Sequence, residues 1–178
     1  MSLNLNEKEL FIQYVSKCKE YFEFGAGWTT IEAKKLGLNI TTVEGDDKWK
    51  EFVIDNISGN ICWVKPNIGP IREYGYPVDG HTASSYPRYS ECWKYATPGT
   101  DIVMIDGRFR VACCLQMILE KYDGIIMIHD FDRPEYWILN KFLDKIDATD
   151  RLCVFKVKKD FDFCYAKELL LEYKYNPK

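Results

Sequence analysis

Histidine is nearly missing: the chain of 178 residues holds two, His81 and His129. A structural zinc site, which takes four Cys or His ligands at short regular spacing, is therefore poorly supplied. Seven cysteines are present, but the number is odd and no CxxC pair occurs. Most of them fall inside apolar runs, which reads as reduced, buried thiols in a cytoplasmic protein, not as a disulfide framework. Positive charge is short as well. The net charge is -3, which argues against general nucleic-acid binding, since that needs a basic face to neutralise phosphates. No apolar run approaches the ~20 residues of a membrane span. No charged and then apolar leader opens the chain. Repeats, low-complexity tracts and linkers are also lacking, so residues 1–178 read as a single domain.

What is present suits a packed core. Hydrophobic residues make up 47% and charged residues 29%, a balance outside the range of disordered chains. Helix and strand patterns alternate. "NEKELFIQYVSKC" has Asn6 as cap and Glu9 three residues on, with Leu10, Phe11, Tyr14, Val15 and Cys18 on one helical face. "YFEF" is a short buried strand. "TTIEAKKLG" opens with a Thr29/Glu32 capping box and closes at Gly37. "NITTVE" is a strand, "DDKWKEFVIDNI" a helix capped by Asp46 or Asp47, and "NICWV" a strand. A proline- and glycine-rich stretch, 65–82, interrupts the alternation, and long ordered loops in small domains are commonly functional. Beyond it the pattern predicts a helix in "SSYPRYSECWKYA", a strand in "DIVMID", a helix in "RFRVACCLQMILEKY" and a strand in "DGIIMIHD". "DRPEYWILNKFLDKI" reads as a helix, and "RLCVFKV" and "FDFCYAK" as two strands of an antiparallel hairpin. Such alternation implies an α/β protein, a mostly parallel sheet covered by helices on both faces. Ligands of such sheets sit beyond the carboxyl ends of the strands, where strand order reverses.

Glu23, Gly25, Glu44, Asp106 and Asp130 all follow strands and should converge there. In "EFGAGWTTIEAKKLGLNITTVEGDD", Gly25 lets the chain turn and Gly27 lets a ligand approach bare backbone. Glu44 lies nineteen positions after Gly25, close to the ~20 expected of an acid that accepts from ribose hydroxyls. Alternatively the glycines form only a strand-to-helix turn, and Glu44 only caps a helix. A dinucleotide site wants a third glycine where Thr30 stands. Glu23 adds negative charge beside the turn, which disfavours a pyrophosphate and suits a ligand carrying an ammonium group.

The pattern E-x-G-x-G-x-T, with an acid after strand two and an Asp after strand four, resembles the class I S-adenosylmethionine-dependent methyltransferases. That resemblance implies a three-layer α/β/α sandwich with a seven-stranded sheet in the order 3-2-1-4-5-7-6 and an antiparallel C-terminal hairpin. It also implies that Gly25 and Gly27 pass under the methionine part of S-adenosylmethionine, that Glu23 lies near its amino group, that Glu44 holds the ribose and that the adenine lies near Val64 to Ile68.

Asp106 and Asp130 end strands that are neighbours in that order, ~4.8 Å apart. Paired carboxylates repel unless a cation or proton intervenes, and Mg²⁺ or another divalent cation would serve. "IDG" at the end of strand four resembles the metal-dependent O-methyltransferases of the catechol and macrocin types, with Asp106 and Asp130 as metal ligands. The macrocin type continues D-G-D-H where this chain has "DGRFR", and the relatives place a second ligand where Phe131 stands. His129 is a candidate general base near working pH, with His81 as the alternative. Arg108, foremost among Arg72, Arg88, Arg110 and Arg133, is suited to grip an anionic or carbohydrate-like small-molecule substrate. The reading is O-methyl transfer by Asp106, Arg108, His129 and Asp130. The alternatives are an enzyme using NAD or a nucleotide sugar, and a non-catalytic nucleoside-binding protein of the same fold.

Overall fold

The segments IVMI (Ile102–Ile105) and IIMI (Ile125–Ile128) are apolar at every position, as parallel strands covered on both faces must be. They lie in the middle of one seven-stranded sheet. The computed structural model describes residues 3–78 and 80–178. Its strands are β1 (Glu20–Phe24), β2 (Asn39–Val43), β3 (Cys62–Val64), β4 (Ile102–Ile105), β5 (Ile125–Ile128), β6 (Leu143–Ala148) and β7 (Cys153–Val157). Their order is β3-β2-β1-β4-β5-β7-β6. The first five run parallel, and β7 is antiparallel to both β5 and β6. The helices are α1 (Leu5–Val15), α2 (Trp28–Lys35), α3 (Asp47–Ile54), α4 (Arg110–Leu119) and α5 (Phe163–Tyr173).

Strand alternation divides the interior in two. Phe22, Phe24, Val103, Ile105, Ile126 and Ile128 pack with Ala112 and Leu115 of α4 and Ala166 and Leu169 of α5. Tyr21, Ile102, Met104 and Met127 face the other way, onto Phe11 and Val15 of α1 and Ala33 of α2. The expected three-layer sandwich and strand order are therefore present. Order reverses between β1 and β4, which opens a crevice at their carboxyl ends.

The hairpin sits one element earlier than the sequence suggests. It is made by β6 and β7, and residues 163–173 are helical instead of extended. The Asp162 carboxylate caps α5 by accepting from the Tyr165 N–H at 2.9 Å. Ala166, Leu169, Leu170 and Tyr173 then recur at helical spacing against the core. The helix expected over residues 132–146 shrinks to a 3₁₀ segment, Pro134–Lys141, because Leu143 onward pairs with β7. The helix expected over residues 84–96 is also 3₁₀, as Gly80–Arg88 and Ser90–Tyr95. The capping box of α1 is Asn4/Glu7, not Asn6/Glu9. At α2 the Thr30 hydroxyl accepts from the Gly27 N–H at 2.9 Å, and the Thr29/Glu32 box does not form.

Candidate functional site

The two glycines after β1 serve different ends. Gly25 has φ +95°, and a Cβ there would meet the Gly107 nitrogen at 2.6 Å. The fold itself requires that glycine: turn and β4 exit touch backbone to backbone. Gly27 is extended, with φ 174°, and a Cβ added to it would meet nothing within 4 Å. No atom of the described residues explains its bareness. The space beside it is a cavity of about 590 Å³ lined by Gly25, Gly27, Glu44, Asp106, Arg108 and His129, among others.

Glu44 spans the two crossovers. One carboxylate oxygen accepts from the Ala26 N–H at 3.0 Å, the other from the Asp46 N–H at 2.7 Å. Burial pushes its carboxyl upward, and the N–H groups of Asp46 and Ala26 oppose that shift without cancelling it. The acid is thereby fixed against the glycine turn with lone pairs to spare.

Glu23 is placed otherwise than expected. It does not line the cavity. On β1 it alternates with Phe22 and Phe24 and points behind the turn, fully buried. The hydroxyls of Thr29 and Thr30 donate to its two oxygens, and Tyr21 donates at 2.9 Å. Burial raises its carboxyl to about 7, against the pull of those hydroxyl donors. Its structural role is to hold Thr30, which in turn accepts from the Gly27 N–H.

Beyond β4 and β5 lies a knot of charge. Asp106 Oδ1 is 3.0 Å from His129 Nδ1 and 3.1 Å from the Arg110 guanidinium. Arg110 is 2% exposed. It donates to the carbonyls of Gly107, Asp106 and His129, and contacts Asp130 at 3.2 Å. Asp130 also meets Arg133 at 2.8 Å and Arg151 at 3.4 Å. Arg151 makes two further bonds, of 3.0 and 3.1 Å, to Glu7, which is fully buried on α1. Three carboxylates (Glu7, Asp106, Asp130) thus face three guanidinium groups (Arg110, Arg133, Arg151). Burial favours the neutral form of Asp106, but the His129 hydrogen bond and the Arg110 charge outweigh it and hold the carboxyl below its ordinary value. Burial likewise opposes charge on His129, yet Asp106 and then Asp130 raise it overall. His129 Nε2 is buried with no hydrogen-bond partner among the described residues, 3.6 Å from Glu7.

A metal site was expected at Asp106 and Asp130. Asp106, His129 and Asp130 do bring one ligand atom each within 4.8 Å of one another. The donor set does not fit a divalent cation. His129 Nδ1 is spent on Asp106, and both Asp130 oxygens face guanidinium groups whose charge would repel one. The cation that the paired carboxylates demand is arginine.

Of the five arginines singled out, Arg108, Arg110 and Arg133 line the cavity, and Arg72 and Arg88 do not. Val64 and Lys65 stay clear of it, while Ile68, Trp49 and Phe52 form its apolar wall near Glu44. The side chain of His81 lies outside the described residues. By sequence the aromatics of residues 72–93 are open between cleft lining and core packing, and Tyr89 among them lines the cavity. Sequence reasoning missed Leu3, Glu7 and Arg151. Leu3 lines the cavity, and Glu7 and Arg151 pair across 144 positions. Glu7 had one visible signal, the Asn4/Glu7 box. Arg151 had none.

No family model matches the chain, and no curated protein does. Among solved structures, a methyltransferase-like protein from Silicibacter pomeroyi DSS-3 superposes with a TM-score of 0.86 at 26% identity, covering 99% of this chain and 97% of its own. The N-methyltransferase NodS from Bradyrhizobium japonicum WM9 aligns at 10% identity and a TM-score of 0.51, over 86% of this chain and 95% of its own. The second likeness shows the fold alone. The architecture is thus the Rossmann-like methyltransferase fold, and methyltransferase-like proteins are its structural neighbours.

Proposed function

We propose that this chain uses S-adenosylmethionine to methylate a small polar acceptor, at oxygen. The observation that carries the reading is the open cradle between Gly27 and Glu44. An acid is fixed against a glycine turn, and a missing Cβ leaves room that the protein does not use. Glu44 would accept from the ribose hydroxyls with the lone pairs its backbone donors leave free. Gly25 to Gly27 would carry the methionine part, and Trp49, Phe52 and Ile68 would flank the adenine. Bound there, S-adenosylmethionine supplies a sulfonium methyl that an oxygen nucleophile takes, leaving a neutral thioether. Asp106, a quarter exposed to the cavity and held ionised, accepts the acceptor hydroxyl's proton. Its hydrogen bond to His129 holds the carboxylate in place for that transfer. No metal enters this scheme.

Melting the protein with S-adenosylhomocysteine and with NAD tests it. Ligand at ~100 times its dissociation constant adds ~2.7 kcal/mol, or roughly 5–10 °C for a chain of this length. A shift with S-adenosylhomocysteine and none with NAD is expected; a shift with NAD alone rejects the reading. A non-catalytic nucleoside-binding protein is the second reading, favoured by how the acids of the charge knot are taken up by its arginines. Methyl incorporation into a panel of small hydroxy compounds separates the two.

A further inference from the structure

Arg108 differs from every other basic group on the cavity. Arg110 and Arg133 lie against Asp106 and Asp130. No acceptor among the described residues takes a hydrogen bond from the Arg108 guanidinium, and its Nε is buried without a partner. The Tyr76 ring lies over it, with the guanidinium carbon 4.3 Å from the ring centroid. Such stacking fixes the plane of the fork and leaves its charge unneutralised. Its backbone is anchored too: the Arg108 N–H donates to the Tyr89 hydroxyl at 3.3 Å. A planar, pre-oriented guanidinium with unused donors in a cavity wall matches an oxyanion, which it can hold through two parallel bonds.

Two oxyanions could sit there: one on the acceptor, or the cofactor's own carboxylate. The packing favours the acceptor. Arg108 lies against the loop after β3, where Tyr76 stacks on it and a Cβ on Gly75 would come 3.7 Å from its Cγ. The cradle for the cofactor is built from the crossovers after β1 and β2. Gly107, next to Arg108, touches Gly25, so an anion at Arg108 would lie beside the end of the cradle where a methyl group would be presented. Building on the methyltransferase reading, we infer that Arg108 binds a carboxylate or phosphate on the methyl acceptor. The substrate class is a small acidic molecule.

Calorimetry with benzoate, phenyl phosphate and neutral benzamide on protein saturated with S-adenosylhomocysteine tests this. Wild type binds benzoate or phenyl phosphate, and which is tighter tells carboxylate from phosphate. Arg108→Gln weakens that binding by about tenfold to a hundredfold, the loss of a charged hydrogen-bonding partner. Arg108→Lys falls between, and serves alone if the glutamine variant does not fold. S-adenosylhomocysteine affinity stays unchanged in both. Three results overturn the inference: benzamide binding as well as benzoate, no anion binding by wild type, or S-adenosylhomocysteine affinity falling with Arg108→Gln, which would assign the guanidinium to the cofactor's carboxylate. If wild type fails to bind S-adenosylhomocysteine, the methyltransferase reading fails, and the same anion titrations on the protein alone decide this one.

Discussion

The two halves of the cleft are built on opposite plans. The half beneath β1 and β2 is mostly main chain, with a glycine turn, two N–H donors and one acid. Its polar groups are satisfied on one side only, and it stays open. The half beneath β4 and β5 is side chains, three acids against three arginines and a histidine, closed on itself. An open cradle has its shape without a ligand and is free to receive one. A knot of paired charges gives up binding capacity for rigidity, whereas Arg108 on the cavity wall has no hydrogen-bond acceptor for its guanidinium among the described residues.

If that contrast is right, damage to the knot should appear as lost stability, and damage to the cradle as lost affinity. Arg110→Met removes the buried cation that lies against both Asp106 and Asp130 and is expected to cost ~3–5 kcal/mol, roughly 10 °C in melting temperature at this length. A variant that melts with wild type would show the knot to be ornamental. Gly25→Ala forces a side chain into a left-handed turn and onto Gly107, at a cost of about 3 kcal/mol in urea unfolding. Glu23, behind the cradle, adds a pH signature. Its folded value of about 7 lies above the ordinary 4.5, so the folded state holds the extra proton between those values. Its contribution is complete below ~4.5, declines as pH rises, and is gone above ~7, about 3 kcal/mol in all. Unfolding curves of Glu23→Gln should lack that decline; a parallel pH profile would place the titration elsewhere. Gly27→Ala should move stability by no more than ~0.5 kcal/mol while weakening S-adenosylhomocysteine binding. Its contrast with Gly25→Ala is the sharpest test of which glycine serves the fold and which the ligand.

The sequence shows the cradle more plainly than the knot, for a physical reason. Gly25, Gly27 and Glu44 are read from local signals, turns after apolar runs at a fixed separation. The strand order follows from alternation. Asp106 and Asp130 are legible as strand-end acids whose charges need a cation between them. That the cation is Arg110 depends on a side chain folding back between two strand ends, and Arg151 reaching Glu7 depends on the whole sheet closing. Glu23 misled because strand parity, which turns it away from the cleft, is hard to see in a strand apolar on both faces. The C-terminal helix was lost for a similar reason: "FDFCYAK" alternates like a strand until "ELLLEY" restores the helical period.

The most direct measurement is a crystal structure with S-adenosylhomocysteine bound. The account predicts both ribose hydroxyls within hydrogen-bond reach of the Glu44 carboxylate and the thioether chain lying along Gly25 to Gly27. An adenosine bound elsewhere, or a Glu44 side chain swung away from it, would contradict the account.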